Sequence, residues 1–158
     1  MKRPWNMVDL PVYSLVTSDG SHINMNICTY VSAVSMKPKR YAVAVYKGTK
    51  SLENIAKNGQ AVLQLLASNQ YPIVRVLGQK SGLKYDKEKY LRKKDLLESW
   101  GSHHVLKGIV AMLELKVLEQ TDVGDHILFL CDVVQFKTAS SSKILTIREL
   151  GKRKIIRI

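Results

Sequence analysis

The sequence predicts a mainly β fold with a few short helices, built as an antiparallel barrel that is closed or partly open. Three observations predict it. Six short runs of strand length and apolar character recur along the 158 residues, clusters of Gly, Asn, Asp and Ser separate them, and only three stretches carry helix signals. Curling six antiparallel strands into a barrel removes the exposed edges that a flat sheet would leave.

Taken in order, residues 12–17 read as a strand, 18–21 as a turn and 22–29 as the returning partner, because Gly20 supplies the positive φ that a tight reversal needs. Residues 41–46 and 61–66 are apolar runs of the length of buried strands. Residues 109–118 and 126–136 bracket a polar, Gly-containing loop over 120–125, which predicts a second hairpin. Thr49 or Ser51 can cap a helix over 52–58, with Leu52, Ile55 and Ala56 on one face and Gly59 as its stop. Pro72 opens a helix over 73–77, where its missing N–H costs nothing, and residues 86–97 form a third, heavily basic one.

With 46% hydrophobic and 24% charged residues and no repeat or linker, the chain reads as one domain over 1–158. At this size roughly 68–70% of the unfolded surface leaves water on folding, so no metal or disulfide staple is needed. Cys28 and Cys131 are the only cysteines, and residues 1–10 lack the apolar run of a signal peptide, which predicts a reduced, cytoplasmic setting. No apolar stretch approaches the ~20 residues that span a bilayer, so no membrane role is expected.

The chain carries 25 Lys and Arg against 13 Asp and Glu, a net charge of +12 that favours phosphate-bearing or otherwise anionic partners. Residues 75–95 hold eight basic and three acidic side chains, and the C-terminal arm over 143–158 holds six and one. Neither block has the interleaved aromatics of a single-strand stacking platform, so a solvated face is the simpler reading and nucleic acid an unfavoured partner.

The stretch from Asn24 to Pro38 leaves a strand and enters a segment dense in small hydroxyl residues, where backbone N–H groups and Ser/Thr hydroxyls can cradle an anion or heterocycle. A structural turn explains such composition more often than a ligand does. Together with Leu15-Val-Thr-Ser-Asp-Gly20, Tyr46-Lys-Gly-Thr-Lys-Ser-Leu-Glu-Asn-Ile55, Val62-Leu-Gln-Leu-Leu-Ala-Ser-Asn-Gln70, Gly124-Asp-His-Ile-Leu-Phe129 and Leu145-Thr-Ile-Arg-Glu-Leu-Gly151, it resembles the ordered signature of the flavin reductase-like, FMN-binding split-barrel family. The resemblance runs from about Pro11 to Gly151.

That resemblance implies a six-stranded antiparallel split β-barrel of Greek-key type and a homodimer. It implies FMN, or FAD, held near the subunit interface, NAD(P)H as electron donor and an unidentified electron acceptor. Carried over by position, Asn26, Cys28, Thr29 and Tyr30 contact the flavin ring and ribityl chain, with Ser32 and Ser35 close by. Lys47, Thr49 and Ser51 line the phosphate end, and His126 stands near the nicotinamide. Two departures stand out: Pro38 is followed by Lys39 where the family commonly has a second proline, and Ile27 and Tyr30 replace the usual Thr and Ser.

Such chemistry suits a chain without a GxSxG elbow, an HExxH helix, a P-loop or a GxGxxG fingerprint, because the cofactors perform hydride transfer once they are oriented and shielded from water. His126 fits a solvated turn as well as an active-site position. His103-His104 lacks further ligands at metal spacing in its own element, so no metal site is expected. Trp5 and Trp100 suit packing. Lys152-Arg153-Lys154 and Arg157 suit nucleic acid or an arm laid across a dimer partner. Three classes therefore stand: an NAD(P)H-dependent flavin reductase; a flavin electron carrier or a barrel for another heterocycle such as haem; and a basic nucleic-acid-binding barrel. Lys47 and Gly124-Asp125-His126 favour the first two.

Overall fold

The first reversal is made by Asp19, whose carboxylate accepts the amides of His22 and Ser21 at 2.8 and 2.9 Å, bonds that hold its pKa down to about 2. Gly20 beside it takes φ 101°. In the computed structural model, which describes residues 3–157, this turn joins β1 (Tyr13–Ser18) to β2 (Ile23–Cys28). The chain continues through β3 (Val31–Met36), β4 (Lys39–Tyr46), α1 (Lys50–Asn58), β5 (Gln60–Leu65), α2 (Val74–Leu77), α3 (Lys87–Lys93), β6 (Leu97–Trp100), β7 (His103–Leu106), β8 (Ala111–Asp122), β9 (His126–Thr138) and α4 (Ile147–Lys152). The first two residues and Ile158, which end the domain and arm expected from sequence, lie outside the described residues.

Seven strands form one antiparallel sheet in the order β2-β1-β5-β8-β9-β4-β3, and β6 and β7 form a separate ribbon. The two outermost strands, β2 and β3, are successive in the chain with only Thr29 and Tyr30 between them. Three peptide steps reach about 11 Å at most, so the sheet must roll until its ends approach each other. The expected count of six is corrected to seven because the strand over 22–29 re-enters extended structure after Tyr30 and changes partner from β1 to β4. The hydroxyls of Val31–Met36 hid that strand.

Other boundaries move for local reasons. The helix expected over 86–97 stops at Lys93, because Asp95 adopts φ 52° and the next apolar residues enter the β6–β7 hairpin, which turns at Gly101 (φ 58°). Pro72 does not open α2 but lies inside a preceding 3-10 segment, Ser68–Ile73. The loop over 120–125 is shorter than expected, since β8 runs on to Asp122. Helix α1 keeps its signals: Thr49 Oγ1 accepts the Leu52 amide at 3.2 Å, and Gly59 closes the helix at φ 65°.

Two cores result. Leu15, Val43, Val45, Leu63, Leu115, Phe129 and Cys131 fill the barrel with Ile55 of α1. Val12, Val16, Val62, Leu66 and Met112 point the other way and meet Leu77, Leu91, Val105, Leu145, Leu150 and Ile155 outside it. Successive residues of β1 and β5 thus serve opposite cores, which is why 61–66 is apolar on both faces apart from the buried Gln64. The C-terminal residues pack on their own barrel through the bridges Pro11↔Thr146 and Ala67↔Ile144.

Candidate functional site

β2 and β3 are the two edge strands of the sheet, and the outer edge of β2 leaves backbone unpaired. Asp19 N–H bonds the His22 carbonyl across the turn, so even-numbered residues of β2 face β1 and odd-numbered ones face away. Consistent with this, Ile23 N–H donates to Glu88 Oε2 at 2.8 Å and the Met25 carbonyl accepts from Lys87 Nζ at 2.9 Å. The next residue on that edge is Ile27, whose N–H and C=O find no protein partner among the described residues. It borders a cavity of about 270 Å³ lined by Cys28, Thr29, Gly78, Gln79, Ile147 and Ile156, among others.

Inside the barrel, Asn24 Nδ2 donates to the buried Ser51 hydroxyl at 2.9 Å, tying β2 to the first turn of α1. Asn26 follows on the same face, and its Oδ1 is buried without a partner. The other such atom among the described residues is Ser14 Oγ, opposite Ile27 in the ladder. Ser14 shares the outward face with Ile27, so Asn26 Oδ1 is the one orphaned acceptor on the barrel side of the free Ile27 backbone pair. Cys28 lines the same interior, and burial pushes its thiol up to about 12.

On the opposite face, β4 and β9 pair Tyr46 with His126. The imidazole lies between Tyr30 (ring centroids 5.1 Å apart) and Tyr46 (5.2 Å), and its Nδ1 is 2.6 Å from Asp125 Oδ1. Lys47 Nζ donates to both oxygens of Asp122, at 2.8 and 2.7 Å, so the β8–β9 turn is strapped to the start of α1. That bond, with the Gly124 amide, holds the Asp122 carboxyl below its ordinary range. Ser32 is exposed on β3 and bonds only its neighbour's carbonyl, Ala33 O; Ser35 follows the bulge in β3.

The expected site residues therefore fall into two groups, Asn26, Cys28 and Ser51 inside the barrel and Tyr30, Ser32, Lys47 and His126 outside it, with Thr29 at the crossing. Thr49 and Ser51 already have internal partners: the Thr49 hydroxyl caps α1 and donates to Tyr46 O, and Ser51 receives Asn24. His103 pairs with Glu114 of β8 at 3.1 Å, Trp5 is 59% exposed and Trp100 packs on the outer core. Asn24, Tyr46 and Asp125 lay in the motifs quoted from the sequence but without a role of their own, and Asp122 and Lys87 were not singled out at all.

A seven-stranded antiparallel sheet with a small second ribbon and a few short helices is the architecture of a flavin reductase-like barrel. Residues 8–151 match the family described as flavin reductase like domain, and the chain belongs to that family. No curated protein matches it. Among solved structures, it is similar to an FMN-binding protein from Thermus thermophilus with bound p-hydroxybenzaldehyde, at 19% identity and TM-score 0.78, over 89% of this chain and 78% of that one. Flavoredoxin from Methanosarcina acetivorans is similar at 22% identity and TM-score 0.76, over 89% and 75%. The NADH:FAD oxidoreductase SgcE6 of Streptomyces globisporus, in complex with NAD and FAD fragments, is similar at 17% identity and TM-score 0.74, over 88% and 81%. No described helix is long and apolar enough to cross a membrane.

Proposed function

We propose that this chain is an NAD(P)H-dependent flavin oxidoreductase that uses FMN and works as a homodimer in the cytoplasm. The observation that carries the reading is the free Ile27 backbone pair beside the unpartnered, buried Asn26 Oδ1. A flavin ring offers a matching edge of carbonyls and an imide N–H, and its hydroxylated side chain offers donors for Asn26. When bound, the flavin supplies the acceptor for a hydride from nicotinamide. The chain's own part is to bind, orient and exclude water.

In this reading Asn26, Cys28, Thr29 and Tyr30 hold the ring and ribityl chain, with Ser32 and Ser35 nearby. Lys47, Thr49 and Ser51 serve the phosphate end. Lys47 reaches a phosphate by exchanging one anion, the Asp122 carboxylate, for another. His126 stands on the nicotinamide side, with Asp125 on Nδ1 leaving Nε2 for the ligand. The half-exposed Leu128 and Leu130 with Ala42 and Ala44, on the outward face of β4 and β9, supply the dimer surface.

Steady-state kinetics with two variants test the roles. His126→Ala is expected to lower kcat or raise KM for NAD(P)H more than it weakens FMN binding. Lys47→Ala is expected to weaken FMN binding by ~1–3 kcal/mol with little selective effect on NAD(P)H. Equal effects of both on flavin affinity would defeat the assignment, and flavin binding without NADH or NADPH oxidation would leave an electron carrier.

A further inference from the structure

The edge of β2 is closed along its first half by side chains instead of a strand. Glu88 takes the Ile23 amide, and Lys87 reaches past it to the Met25 carbonyl and to the Leu77 carbonyl at the end of α2, 2.7 Å away. Lys87 is only 4% exposed, and no carboxylate pairs with its ammonium among the described residues. Burial alone brings its pKa down to about 8. An unpaired buried cation is costly to keep, so its two carbonyl bonds must gain something that a surface lysine would not.

What they gain is register. Ladder alternation puts Ile23, Met25 and Ile27 on one edge, and the clamp holds one group of each of the first two, the Ile23 amide and the Met25 carbonyl, and stops before Ile27. The connecting segment is pressed onto the strand: a Cβ on Gly82 would collide with Asn24 Oδ1, and one on Gly78 would come within 3.2 Å of Ile27 Cγ1. We infer that Lys87 and Glu88 act as a surrogate strand, fixing the first half of the β2 edge so that the Ile27 N–H and C=O are presented in register to a flavin ring. The inference rests on the flavin reading above. Lys87 is a positioning residue in it, acting through the Met25 carbonyl without touching the ligand.

Two readouts separate this from a purely structural role and from direct phosphate binding. The first is amide exchange of Asn24 and Asn26 in flavin-free protein, followed by NMR. The second is affinity for FMN and for riboflavin, which lacks the phosphate, followed by flavin fluorescence. Lys87→Met is expected to speed exchange at both amides and to weaken FMN and riboflavin equally, by roughly tenfold, the scale of one lost hydrogen bond. Glu88→Ala is expected to act in the same direction, while Glu88→Gln, which keeps an acceptor for Ile23, retains wild-type exchange and affinity. Should Lys87→Met fail to fold, the Glu88 pair carries the test. A loss confined to FMN would make Lys87 a phosphate ligand and overturn the proposal, as would unchanged exchange or unchanged affinity. If the wild type binds neither flavin, the flavin reading falls, and with it the presentation of Ile27, while the exchange data still decide whether the clamp orders β2.

Discussion

The outward faces of β1–β5 and of β4–β9 belong to the same sheet and carry similar apolar side chains, yet only the first is covered. Val12, Val16, Val62 and Leu66 lie under α2, α3, the β6–β7 ribbon and α4, and none is more than 6% exposed. Ala42, Ala44, Leu128 and Leu130 have no such layer, and Arg40 and Asp132 pair at the rim at 3.0 Å. The helical layer, moreover, carries the basic block over 75–95, and the open face carries Tyr30 and His126. The covered half therefore holds the fold together, and in the proposed homodimer the open half is where a second copy and a substrate would meet.

The sharpest way to break that contrast is to truncate each half. Leu66→Ala, at a fully buried position, is expected to cost ~2–5 kcal/mol in chemical denaturation. Leu130→Glu is expected to cost the folded subunit less than ~1 kcal/mol, while light scattering falls from twice the chain mass to 17.9 kDa. A wild type that already runs at 17.9 kDa would remove the dimer from the account.

A smaller effect separates the halves by pH. Lys87 titrates near 8 in the folded chain and near 10.5 when unfolded. Below pH 8 both states hold the proton and the burial cost is in full. Between 8 and 10.5 only the unfolded chain still holds it, so stability rises with pH and then levels. The charged groups beside it are occupied elsewhere, Asp86 on the Lys89 amide and Glu88 on Ile23 and Arg92, and the neutral amine retains two N–H donors for its two carbonyls. The wild type should thus gain melting temperature relative to Lys87→Met as pH rises from 8 to 10.5; a parallel decline of both would contradict it. The smallest expected effect is on the thiols. Burial pushes Cys28 up to about 12 and, with Asp132 nearby, Cys131 to about 11, so neither should react with a thiol reagent until the barrel opens.

The parts legible in the sequence are those governed by local rules. Thr49 and Gly59 marked the ends of α1, Gly20 marked a turn, and the largely apolar run over 61–66 marked a buried strand. Val31–Met36 was not legible, because its hydroxyls give the pattern of a loop and its pairing with β4 alone makes it a strand. Leu97 closed a helical spacing that the positive φ of Asp95 ends early. The site was legible as far as the family signature carried residue names. Its contacts were not: Lys47 and Asp122 lie 75 residues apart, and Tyr46 meets His126 only through the β4–β9 register.

The central claim is that the β2 edge at Ile27 receives a flavin. Titrating FMN into the purified, flavin-free protein while following flavin fluorescence and protein melting tests it most directly. FMN received at this edge is expected to give a saturable fluorescence change at one FMN per chain and a melting temperature that climbs with FMN concentration, as mass action requires of a ligand bound only by the folded state. No change in either signal with FMN or FAD at concentrations well above micromolar would contradict it.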